Sequence, residues 1–185
     1  MPMSRKDGEN IFRPYYQTLW ACVGDAFKTY YRVNASELMD TEDRTKMSYI
    51  NDQIVKNVRM QLPALTYEKR WSQRRFWLGS ACLRVKKVNK NLQVSSLATQ
   101  ATFDFVSGLQ PRFPGMPAPT PLFLGFVPNV TKTAPSRLFI IHTNGMVNSN
   151  EIGKLRSFKG NIAWAIEIPI EARGEGARLI QPLVP

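Results

Sequence analysis

The period of the hydrophobic pattern changes at Pro63, and that change limits the folds open to this chain. Between Arg13 and Tyr31 the apolar residues Tyr16, Leu19, Trp20, Val23, Phe27, Tyr30 and Tyr31 return every three or four positions. Pro14 stands where a first helical turn tolerates it, so the spacing predicts an amphipathic helix with an aromatic face. A second helix is marked by Asp40 or Thr41 as cap, by Glu42 and Asp43 near its positive end, and by the stripe Met47, Ile50, Ile54, Val58 and Leu62. Pro63 ends it. Lys46, Asp52, Lys56 and Arg59 fall away from the stripe and are expected to be solvated.

Beyond Pro63 the helical period is gone. The run from Phe76 to Val85 reads as one strand, bent at Gly79. Alternation places Cys82, Arg84, Lys86 and Val88 on one side, with Leu83, Val85 and Lys87 on the other. After an Asn89-Lys90-Asn91 turn, residues 93–107 admit a strand with Phe103 and Phe105 on one face, or a helix capped near Ser95. The repeat of Leu97, Ala101 and Phe105 at intervals of four, with Gly108 as a stop, favours the helix. Five prolines between Pro111 and Pro121 exclude a regular helix or central strand there and predict a surface spacer or positioning loop. Three apolar runs follow, Leu122–Val127, Arg137–His142 and Asn161–Ile170, separated by turn signals at Pro128-Asn129, Asn144-Gly145 and Lys159-Gly160. A hairpin about Asn144-Gly145 is one way to pair them, although its second arm, residues 146–150, is polar.

These elements predict an α+β protein: an N-terminal helical pair packed on an antiparallel or mixed β-sheet, with one further helix. Regular alternation of strand and helix is missing, which argues against a doubly wound sheet. The expected organisation is a flexible N-terminus (1–12), a helical segment (13–63), a basic β-rich segment (64–172) and a tail (173–185), together forming one domain. At 185 residues with 43% hydrophobic content, the chain is long enough to bury a core without disulfides. Cys22 and Cys82 have apolar neighbours and are expected as buried free thiols in a reducing compartment. No apolar run approaches the ~20 residues of a membrane span, and the polar N-terminus is no signal peptide. The expectation is a soluble intracellular protein, of host or viral origin.

Charge narrows the choice of partner. Residues 1–68 hold nine basic and nine acidic side chains, whereas residues 69–150 hold eleven basic ones against Asp104 alone. A one-sign field confined to one segment is better explained by a polyanion than by solubility. The densest part comprises Lys69, Arg70, Trp71, Arg74, Arg75, Arg84, Lys86, Lys87 and Lys90. Lys and Arg displace counterions from phosphates, and interleaved aromatic rings can stack on unpaired bases. The competing reading makes Trp71, Phe76 and Trp77 core residues.

Other chemistries find little support. His142 is the only histidine, which excludes paired-histidine metal sites. No Gly-x-Ser-x-Gly elbow accompanies it, and a residue that ends an apolar run is expected to make a local hydrogen bond. Asp104, Glu151, Lys154 and Glu167 are the only set for a Mg-dependent nuclease, and their spacing matches no metal motif. Gly-rich phosphate loops are absent, so neither nucleotide cofactor use nor any other cofactor is expected. The sequence therefore predicts a nucleic-acid-binding protein (DNA or RNA) of weak or no sequence specificity, with binding favoured over catalysis. The alternatives are an assembly or inhibitor protein that binds protein partners or forms a homo-oligomer, and a small nuclease.

Overall fold

A computed structural model describes residues 3–33, 42–70, 73–92, 94–97, 100–107, 119–144, 157–159 and 161–173. Three helices, α1 (Arg5–Phe12), α2 (Tyr16–Val33) and α3 (Asp43–Gln61), precede β1 (Thr66–Arg70), β2 (Gln73–Leu78), β3 (Ala81–Lys87) and β4 (Ser95–Leu97). Helix α4 (Gln100–Val106) follows, then β5 (Thr120–Pro128), β6 (Pro135–Asn144), β7 (Ser157–Lys159) and β8 (Asn161–Glu167). The main sheet has the order β1-β2-β3-β5-β6-β8, and β4 pairs with β7 in a separate ribbon. All main-sheet neighbours are antiparallel except β3 and β5. A parallel pair needs a crossover, and the chain between β3 and β5 supplies one that carries α4. This is the α+β architecture with a mixed sheet expected from the sequence.

Each sheet face buries its own core. On one, α1, α2 and α3 place Phe12, Leu19, Val23, Phe27, Ile50 and Ile54 against Phe76, Leu83, Leu122, Leu124 and Ile140. On the other, Phe105 and Val106 of α4 pack with Cys82, Val88, Phe123, Phe139 and Ile141. The alternation expected along β3 is present, with Leu83 and Val85 in the first cluster and Cys82 and Val88 in the second. Trp20 ties α2 to the segment after β8, donating its indole N–H to the Pro169 carbonyl at 2.8 Å. Asn57 of α3 donates to the Cys22 carbonyl of α2 at 2.9 Å.

Four expectations are revised. Part of the supposed flexible N-terminus is α1, started by a capping box in which Ser4 and Asp7 satisfy each other's backbone N–H groups. The strand read as continuous across Gly79 is a hairpin: Gly79 has φ +56°, and the two-residue Gly79-Ser80 loop returns the chain so that Leu78 pairs with Ala81. The helix placed near Ser95 begins at Gln100, because residues 95–97 pair with β7. Lys46 is half-buried: its ammonium donates to the Tyr31 hydroxyl and lies 4.6 Å from that ring's centre. Burial holds its pKa below the usual lysine value. The proposed Asn144-Gly145 hairpin, most of the Pro-rich segment and the tail from residue 174 lie outside the described residues, whereas β6 pairs with β5 and β8.

Candidate anion-binding face

Neighbouring residues on a strand point to opposite faces, so consecutive cations cannot all serve one surface. Lys69 of β1 pairs with Arg74 of β2, and Phe76 pairs with Leu83 on that same helical face, which also takes Lys87. There Arg74 donates to Asp52 of α3 at 2.5 Å, while Lys69 and Lys87 are exposed. Arg75, Arg84 and Lys86 belong to the opposite, α4-covered face. Arg70 ends β1 opposite Gln73, and its side chain, like all of Trp71, lies outside the described residues. Lys90 is exposed in the turn after β3. The seven of those nine residues whose side chains are described are therefore divided between the two faces of the sheet and the turn at its end.

The α4 face holds the unusual chemistry. Arg75 is 4% exposed and Arg84 8%, standing beside each other on adjacent strands one step before the Phe76 and Leu83 pair. Arg75 donates to Gln73 at 2.7 Å. Directly across from Arg75 is Glu68, whose carboxylate accepts from the Trp77 indole N–H at 3.0 Å. Among the described residues Arg84 has no such neighbour. Its guanidinium lies 4.8 Å from the centre of the Phe105 ring, and its Nη1 is enclosed with no hydrogen-bond acceptor among the described residues. Burial first, and the positive charge of Arg75 second, push the Arg84 pKa down to about 10. Lys86, one strand repeat onward and half-buried, is pushed down to about 8 by burial and then by Arg84. Among the described residues no carboxylate makes an ion pair with Arg84 or Lys86.

A buried cation without a counter-charge is expensive, because neither water nor a carboxylate replaces its lost hydration. Exposure along this face of β3 rises from Cys82 (0%) through Arg84 (8%) to half-buried Lys86 and falls again at Val88 (2%), so Lys86 is the most exposed member of the row. A guanidinium fork beside an ammonium, with an aromatic ring lying across the guanidinium, is chemistry suited to an anion. Phe105, which orients Arg84, was visible in the sequence only as a member of the α4 repeat, and Glu68 and Trp77 carried no signal of their pairing.

The remaining candidates have ordinary surroundings. His142 is buried, with Nδ1 3.0 Å from the Pro121 carbonyl oxygen and its ring against Trp164. A carbonyl only accepts, so Nδ1 carries the hydrogen. Cys22 and Cys82 are free and fully buried, and burial pushes both thiols up to about 12. Glu167 accepts two bonds from Arg137, which hold its carboxyl below the usual glutamate range. Glu151 and Lys154 lie outside the described residues, among which no three His, Cys, Asp or Glu side chains gather as a metal-binding group. No described helix is long and apolar enough to cross a membrane. No protein-family model, curated protein or solved structure matches the chain.

Proposed function

We propose that the protein binds nucleic acid through phosphate contacts, with weak or no base specificity, and that the Arg84–Lys86 row is the focus of those contacts. The observation that carries this reading is Arg84: over nine-tenths buried, with a guanidinium nitrogen that finds no acceptor among the described residues and no described carboxylate in an ion pair with it. The choice of a polyanion rests on the rest of the charge. The chain carries a net +11, and exposed Lys90 stands in the turn just beyond the row. A field of one sign around a desolvated cation draws in a polyanion and gives each phosphate contact more weight than an exposed lysine would. The division of the cations between two faces narrows the contact to the β3 end of the α4 face, with Lys69, Arg74 and Lys87 outside it.

Fluorescence anisotropy with labelled single- and double-stranded oligonucleotides over a salt series tests this. Three phosphate contacts imply that log Kobs falls with log salt at a slope of roughly −2 to −3. A flat response, or no association at low salt, refutes it.

A further inference from the structure

We infer that the Arg84–Lys86 row receives the terminal phosphate of a nucleic-acid strand, a phosphomonoester, in preference to an internal phosphodiester; this rests on nucleic acid being the partner. Access gives the first argument. Arg84 is 8% exposed with Nη1 fully enclosed, and Phe105 covers its guanidinium. An internal phosphate carries a sugar on either side and meets a protein broadside, so it reaches an exposed lysine easily and an enclosed guanidinium poorly. A terminal phosphate leads with its free oxygens and meets Lys86, the most exposed member of the row, head first.

Charge gives the second. Arg84 and Lys86 are two neighbouring cations with no described carboxylate in an ion pair with either. An internal phosphodiester brings one negative charge. A monoester brings about −1.5 to −2 at neutral pH, with three acceptor oxygens, and so matches the row in both charge and donor count. Side chains two apart on a strand stand side by side about 6.5 Å apart, a spacing that one phosphate group can bridge.

The test compares matched oligonucleotides with a 5′-phosphate, a 3′-phosphate or only hydroxyl ends, each competing for a labelled strand at fixed salt. The inference predicts that one phosphorylated end binds roughly tenfold or more tighter than the hydroxyl strand, as expected for charge-assisted bonds to a desolvated site. It also predicts that inorganic phosphate erases this advantage, and that Lys86→Gln and the charge-conserving Arg84→Lys both lose it. Equal affinity for all three strands with a steep salt dependence overturns the terminal-phosphate inference and leaves nucleic-acid binding standing. No association of any strand overturns both. A preference that survives in both variants overturns the location, and stabilisation by inorganic phosphate with no preference among strands overturns the nucleic-acid end as ligand.

Discussion

Replacing Arg84 by methionine is expected to make the protein more stable, the reverse of what most core substitutions do. Burial first, and the Arg75 charge second, push the guanidinium pKa down from its ordinary value to about 10 in the folded chain. At about 1.4 kcal/mol per tenfold change in proton affinity, holding that charge in the fold costs about 3 kcal/mol. Methionine has a similar length and can fill the space beside Phe105 without a charge. Against that gain stands the lost cation–π contact with Phe105, worth about 1–2 kcal/mol where desolvated. The net expectation for Arg84→Met is a stabilisation of about 1–2 kcal/mol, read as a higher urea midpoint at unchanged m. The same variant should lose most of its affinity for phosphates, so stability and binding move in opposite directions. A loss of stability of 1 kcal/mol or more, as expected when one member of a buried pair is removed, would show that Arg84 already has a counter-charge, which would contradict its proposed role in receiving a phosphate.

Three further outcomes follow from the structure. The Lys86 ammonium should titrate near pH 8, followed by the Cε resonance in NMR, and phosphate should raise that midpoint; an ordinary midpoint near 10.5 contradicts its burial beside Arg84. Because the unfolded chain keeps this proton to higher pH, it binds more protons than the folded chain between those two values, so the contribution of Lys86 to stability improves as pH rises through that window. Gly125→Ala should cost about 1–3 kcal/mol by overpacking in denaturant titrations, since its new methyl would stand 2.7 Å from Ile141 Cδ1 and 3.1 Å from Val88 Cγ1. Ser4→Ala should remove the α1 capping box at a cost of about 1 kcal/mol. Faster amide exchange confined to Arg5–Phe12 is the readout, and unchanged exchange would mean that packing alone holds α1.

Helices α2 and α3 were legible because one apolar stripe on each is long enough to outvote local noise. Strands β5, β6 and β8 were legible as apolar runs between turn signals. Helix α1 was not: apart from Ile11 and Phe12 its residues are polar or glycine, and only Ser4 with Asp7 announces it. Strand β1 hides for a related reason. Thr66-Tyr67-Glu68-Lys69-Arg70 is an edge strand, where charges protect against unwanted pairing and blur the hydrophobic pattern. Gly79 was legible as a break, but its positive φ, which turns the chain back, is a property of the pairing around it.

The candidate site was readable as charge density and only partly as geometry. That Arg74 and Arg75 face opposite ways follows from strand alternation alone, as does the alignment of Arg84 with Lys86. What composition cannot supply is depth. Arg84 is enclosed because α4 returns over the sheet after β3 and sets Phe105 on the guanidinium, a contact across more than twenty residues of chain. Asp52, which binds Arg74, comes from α3 and is equally invisible in a local charge count.

Arg84 and Lys86 together are proposed to receive a phosphate group. Crystals grown with tungstate, a heavy phosphate stand-in, test this directly through the anomalous difference map. A peak with oxygens about 2.7–2.9 Å from both the Arg84 guanidinium and the Lys86 ammonium is the predicted result. Ordered tungstate elsewhere on the surface, with none at that pair, would contradict it.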